Sequence, residues 1–472
     1  MAAVIAARSL SAAELKDHLH DIQDNVVAPI LMRYGRHIFV KFADGAQARR
    51  WLRNMFDRVN TRRAEHGTRF TVNVGFTWRG LAALGLSRRS LDSFPQAFRA
   101  GMRERARFVG DTGSHAPEHW EGGLGGPDIH AMAWIRTDSA EGREEAMRII
   151  SAEMEATGGI EIRFVQDTMA LAHESGIGSE GEHFGFADPI SQPPIEGADA
   201  PSYPGDGVLE ADGTWRALKP GEFLLGYEDE AGAEGSQVPE PPELRLNGTY
   251  MVFRKLYQDV AAFRRYLATA AKPLYGSDDQ DLQERVAAKM MGRWRSGCPV
   301  DLSPDKDDPT IAADPQRRNN FTYAGDEQGL RCPLGAHLRR TNPRATPLKR
   351  ATAVRRHRLI RRGVEYGPHL EAGALQDDGV DRGLVNLFIQ ADIERQFEFV
   401  QKEWMAGGEF LGLDAGEQDP ITGAGGEGSQ MLVPGAKRPF LFELPNFVRV
   451  KGGEYLFVPG LKALEGLIEQ RF

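Results

Sequence analysis

The 472 residues carry 67 acidic and 58 basic side chains for a net charge of −9, with 41% hydrophobic and 26% charged residues. That balance suits a globular chain of two or three domain-sized units and excludes a nucleic-acid surface, which needs clustered positive charge. Two cysteines exclude a disulfide scaffold, and no stretch approaches the roughly eighteen apolar residues of a membrane span.

The chain starts MAAVIAARSLSAAEL, whose short apolar run lacks a charged lead. This predicts no secretory signal and a cytoplasmic protein. HIFVKF (37–42) has strand character and is followed by 44–59, where Ala48, Trp51, Leu52, Met55 and Phe56 recur at helical spacing. HAMAWIRTD (130–138) leads into GREEAMRIISAEME in the same way. The order then repeats: TYMVFRKL (249–256) precedes QDVAAFRRYL, and GLVNLFIQAD (383–392) precedes IERQFEFVQKEWM. Four strand-then-helix units in two pairs predict an α+β protein of two repeated halves, helices covering one face of each sheet and a pocket between the sheets. The expected division is 1–200 for the N-terminal half, 201–245 for a proline- and glycine-rich connection, and 246–472 for the C-terminal half. A second irregular stretch covers 296–323, and a loop of that length often borders a site.

Three motifs invite chemistry. GAGGEG (423–428) matches the dinucleotide fingerprint in letters only, because it follows a loop and opens no helix, and it reads as a flexible loop. Cys332 and His337 are close in sequence, but a nucleophile and base pair in space and need an orienting group, so Cys332 reads as a packed small residue. The stronger group is CPLGAHLRRTNPR (332–344) with RLIRRGVEYGP (358–368). A lone histidine beside arginines is ordinarily structural. Here His337 follows the small residues Gly335 and Ala336, which leave room for a flat group, and Arg339, Arg340 and Arg344 offer forked donors for carboxylates. An axial nitrogen with guanidinium clamps is what a haem site requires.

GEHFGFADPISQPPIEG (181–197) places Asp188 among aromatic residues and prolines. Together, GFADPISQP, CPLGAHLRRTNPR and RRGVEYGP resemble the dye-decolourising peroxidases, and further segments along most of the chain are similar in the same order. The resemblance implies a fold of two ferredoxin-like halves of the dimeric α+β barrel type, antiparallel sheets with helices on their outer faces, and haem b, one per chain, between them. It implies His337 as the axial iron ligand, Asp188 as the distal acid–base group and Arg361 as the distal cation. Arg344 and Arg339 would face a propionate, and Ile190, Ser191 and Gln192 would line the distal edge. A ligating imidazole usually donates its other N–H to an acceptor, for which Asp392 and Glu394 are the expected partners. The implied partners are hydrogen peroxide and a small or bulky aromatic electron donor, with no nucleic acid, no membrane span and a homo-oligomer allowed. The family motif has glycine after the distal acid where this chain has Pro189, which puts the aim of the carboxylate at issue and makes a haem carrier of weak activity the alternative.

Overall fold

The computed structural model describes residues 9–61, 70–172, 181–199, 201–235, 238–348, 352–414 and 416–472. The N-terminal apolar run, on which the expectation of no secretory signal rests, lies outside them. In the first half, strand β1 (Tyr34–Phe42) precedes helix α1 (Gly45–Met55), and β2 (Phe70–Phe76) and β3 (Ala131–Thr137) precede α2 (Ala140–Thr157) and β4 (Ile160–Met169). Asp44 and Ser139 start the two helices by accepting from the N–H groups of Gln47 and Gly142. The second half opens with β5 (Thr249–Gln258), α3 (Val260–Tyr275) and α4 (Gln280–Met291). After the short helix α5 (His337–Thr341) come β6 (Ile360–Arg361), β7 (Val364–Tyr366), β8 (Gly383–Gln390), β9 (Val448–Val458) and α6 (Leu461–Ile468). Two X–Pro peptides among the described residues, Asp188–Pro189 and Glu240–Pro241, are cis.

All pairings between these strands are antiparallel, and the order is β4-β1-β3-β2-β9-β5-β8-β6, with β7 also on β8. Each half therefore has its strands in the order fourth, first, third, second. This is the ferredoxin-like arrangement, and the halves join where Phe457 meets Phe76. The fold is the expected α+β type.

Side-chain alternation decides what each face does. Phe39 and Trp134 of the first half pack with Phe253, Leu387, Ile389 and Leu456 of the second in one buried cluster. The Phe39 and Phe253 rings lie 4.8 Å apart at 73°. The outer face of the first sheet is covered by α1 and α2, with Ile38 and Val40 against Trp51, Leu52 and Ile150. Among the described residues, full-sized apolar side chains fill the space between the sheets where the pocket is expected. The pocket lies instead on the outer face of the second sheet.

Two other sequence expectations change. The segment after β8 is wound as π-helix over Glu394–Glu398 and Val400–Met405, not as regular α-helix. The 201–245 stretch carries a small hairpin, Val208–Leu209 with Trp215–Arg216, and sends Phe223, Leu224 and Tyr227 into the core between the halves. Among the described residues no helix is long and apolar enough to cross a membrane.

Candidate active site

A cavity of about 480 Å³ lies against the second sheet. Its floor is made by alternate residues of three strands: Arg254, Leu256 and Gln258 of β5, Leu384, Asn386 and Phe388 of β8, and Val448 and Val450 of β9. On β8 the neighbours one step along, Val385, Leu387 and Ile389, face the other way into the core. Asp188, His337, Arg344 and Arg361 all line this cavity, together with Ile190 and Ser191. Residues from positions 188, 337 and 361 of the chain are thus brought to one space.

His337 opens α5 and its Nδ1 lies 2.8 Å from Oδ2 of Asp419. The other carboxylate oxygen of Asp419 accepts from the N–H groups of Ile421 and Thr422, each at 2.9 Å. Burial pushes this carboxyl up, but the His337 ring and the Thr422 N–H outweigh it and hold Asp419 below its ordinary value. With Nδ1 engaged, Nε2 makes no hydrogen bond to any described residue. The ring is anchored from behind.

The expected partners of His337 are elsewhere. Asp392 accepts from the N–H of Arg395 at 2.9 Å and pairs with its guanidinium, while Glu394 accepts from the N–H of Ala97 at 3.1 Å. Both are occupied in joining the π-helical segment to its surroundings. Asp419 comes from the loop just before GAGGEG, where only the folded chain brings an acid to the histidine.

Arg339 also differs from expectation. Two residues after His337 on a helix, it points to the opposite side, since each residue advances about 100°. It is fully buried, donating to Oδ2 of Asp326 at 2.9 Å and to the Cys332 carbonyl at 2.7 Å, with its guanidinium over the Tyr323 ring. Arg340 donates to the carbonyls of Trp404, Gly407 and Glu417. Gly335 and Ala336 are not on the cavity wall. Cys332 is buried as expected, and burial pushes its thiol up to about 12.

Arg344 is the arginine of this motif that reaches the cavity, from a left-handed backbone position at φ 53°. One guanidinium nitrogen donates to the carbonyls of Gly205, Asn319 and Phe321, while Nε is buried without a partner. Arg358, which the sequence reading passed over, joins it on the wall and donates to the Asp206 carbonyl at 3.0 Å. Burial, with the charge of Arg344 added, lowers Arg358 to about 10. Neither guanidinium makes an ion pair with a described residue. Two guanidiniums at this end of the cavity suit the carboxylates of a ligand.

Asp188 is held by its own loop. Glu182, itself buried, accepts from the N–H groups of Phe184 and Phe186 at 2.9 Å each and from the Gln258 amide at 2.6 Å. Burial holds the Glu182 carboxyl above its ordinary value even so. The N–H of Ala187 donates to the Arg295 carbonyl at 3.0 Å, and Phe184 and Phe186 pack on Phe263 of α3. Asp188 then emerges beside Arg361, with Nη2–Oδ1 at 3.3 Å and Nη1–Oδ2 at 3.5 Å. Both side chains stay partly open, 30% and 41%, because they face the cavity. Gln192 is not on the wall; its Oε1 accepts from the N–H of Arg361 at 2.8 Å and fixes that strand. Ser191 donates to Asp206 at 2.7 Å, so its hydroxyl proton is directed away from Asp188.

Among the described residues, a ring nitrogen that makes no hydrogen bond, two guanidiniums that pair with no carboxylate and apolar side chains between them fit a planar, dianionic, nitrogen-ligated group such as haem. No family model matches the sequence. Peroxidase 2 of Mycetinis scorodonius is 30% identical over 98% of this chain and 89% of its own length. The multifunctional dye peroxidase DyP2 of an Amycolatopsis species is 29% identical over 95% and 96%. Among solved structures, a dye-decolorizing peroxidase in complex with 2,6-dimethoxyphenol superposes with a TM-score of 0.81 at 28% identity, covering 95% of this chain and 99% of that one. The relatives match nearly end to end and the site residues meet in one cavity: the chain belongs to the dye-decolorizing peroxidase family and is a peroxidase.

Proposed function

We propose that this chain binds one haem b per chain and uses it to reduce hydrogen peroxide while oxidising phenols, dyes or similar one-electron donors. The observation that carries the reading is the pairing on one cavity wall of Asp188 with Arg361, together with His337 backed by Asp419 on the same cavity. The haem, when bound, supplies the metal centre at which peroxide is reduced. His337 would hold its iron, and Asp419, on Nδ1, would orient that imidazole and raise its basicity. Arg344 and Arg358 would take its carboxylates.

Asp188 accepts a proton from one oxygen of hydrogen peroxide and returns it to the other, which leaves as water. Arg361 stabilises the negative charge that develops on the leaving oxygen. Pro189 after the acid favours the alternative of a haem carrier. Against it, the Asp188 carboxylate is directed to Arg361 and the cavity, as an acid–base group has to be.

Two variants test the assignment. His337→Ala loses the haem absorption of the wild type or changes its ligand field. Asp188→Asn keeps the haem and lowers the bimolecular rate with peroxide by at least about 100-fold. An unchanged rate in Asp188→Asn removes its acid–base role, and a wild type that takes up no haem removes the reading itself.

A further inference from the structure

Among the described residues of the cavity floor, one polar side chain makes no hydrogen bond. Arg254 is paired with Asp111 at 2.7 Å, Gln258 with Glu182 at 2.6 Å, and Arg361 with Asp188. Asn386, between Leu384 and Phe388 on β8, makes no hydrogen bond to any described residue through its amide. A half-buried amide offers two donors and an acceptor, and leaving them unmet costs free energy unless a ligand or water uses them.

Its position follows from the strand register. Arg361 pairs with Phe388, and the N–H of Arg362 donates to the Leu387 carbonyl at 2.8 Å, so Gly363 falls opposite Asn386. Arg361, Gly363, Asn386 and Phe388 therefore share the cavity face, with Asn386 diagonal to Arg361. Diagonal neighbours in an antiparallel pair are about 7–8 Å apart, within reach of a common small ligand. Gly363 leaves this amide its room: a Cβ there would lie 2.5 Å from Oδ1 of Asn386 and displace it. The absent side chain is the room the amide occupies.

We infer that Asn386 is a third polar group of the peroxide site, its amide N–H donating to an oxygen of hydrogen peroxide, or to a small anion such as fluoride, held beside Arg361. The inference rests on the haem peroxidase reading above and adds a binding residue to it. It assigns no proton transfer to the amide, which stays neutral throughout.

The test uses haem-loaded full-length protein with fluoride and hydrogen peroxide as probes. Asn386→Leu is expected to weaken fluoride binding about tenfold and slow the peroxide reaction about tenfold, the loss typical of one hydrogen bond. Haem content and the subsequent rate of phenol oxidation stay as in the wild type. Asn386→Gln, which keeps the amide, recovers part of the loss. Gly363→Ala, which displaces the amide without removing it, gives a smaller loss of the same kind and serves if Asn386→Leu does not fold. Fluoride affinity and peroxide rate within twofold of wild type in Asn386→Leu, or in Gly363→Ala where that is the variant that folds, overturn the inference while haem uptake persists. Absence of haem uptake by the wild type instead overturns the underlying reading.

Discussion

Asp419 and Glu182 are both buried acids, and each holds a working residue in place by different means. Asp419 faces a ring that can carry charge and also accepts two backbone N–H groups, so its removal leaves three donors unmet. Asp419→Ala is expected to weaken haem affinity about 10- to 100-fold, the usual effect of losing a ligand's hydrogen-bond partner, measured by haem titration of the apoprotein. Glu182 accepts from neutral donors and feels the Arg295 charge only as the smallest opposing effect, so burial dominates its titration. Glu182→Ala frees the N–H groups of Phe184 and Phe186 and lets the acid loop shift. The peroxide rate falls at least about tenfold with haem content retained, because hydrogen-bond reach to a reacting proton tolerates little displacement. Glu182→Gln, which keeps an acceptor, recovers part of the rate. Equal rates in wild type and Glu182→Ala would show that the loop is held by Arg295 and the phenylalanines alone.

At the scale of the element, α5 divides its arginines by helical phase. His337 and Thr341, four residues apart, share the cavity side, whereas Arg339 is on the far side in a buried ion pair with Asp326. Removing one partner of such a pair leaves an uncompensated buried charge and costs about 3–5 kcal/mol. Arg339→Ala is therefore expected to lower stability in urea by about that amount, while Arg344→Ala costs less stability and more haem affinity. The reverse order would restore Arg339 as the carboxylate clamp. The strands follow the same logic with a period of two. β8 puts Val385, Leu387 and Ile389 in the core between the sheets and Leu384, Asn386 and Phe388 on the cavity floor, so both of its faces are in use. Strand β4, by contrast, reads IEIRFVQDTM and is mostly partly exposed, and its irregular polarity hides it from periodicity arguments.

For the whole molecule, packing the two sheets face to face leaves ionisable groups in a nearly dry interior. Glu454 of β9 is buried, and burial, against the Gly125 N–H, pushes its carboxyl up to about 8. The folded state then binds more protons than the unfolded chain between the ordinary value of 4.5 and about 8, so stability falls as pH rises through that window. His37 of β1 is shifted the other way, to about 3, by burial and the charge of Arg136. Between about 3 and 6.5 the unfolded chain binds the extra proton, and stability falls as pH is lowered. Thermal unfolding should therefore show losses on both limbs. Glu454→Gln should flatten the decline between pH 5 and 8 without changing the acid side. An alkaline decline of the same steepness in Glu454→Gln would assign it to other groups.

The repeated strand-then-helix units, the α+β class and the grouping of His337, Asp188 and Arg361 in motifs were determined by the sequence, because hydrophobic period and motif spacing are local properties of the chain. The aromatic and proline setting of Asp188 already marked it as unusual. Three things were decided only by tertiary structure. The cavity lies outside the second sheet and not between the sheets, since that depends on which alternate side chains fill the shared core. Asp419 backs His337 in place of Asp392 or Glu394, a contact between residues 82 positions apart that no local pattern encodes. Arg344 and Arg358, not Arg339, face the cavity, because direction on a five-residue helix and in the loops around it is set by what the rest of the fold packs against them.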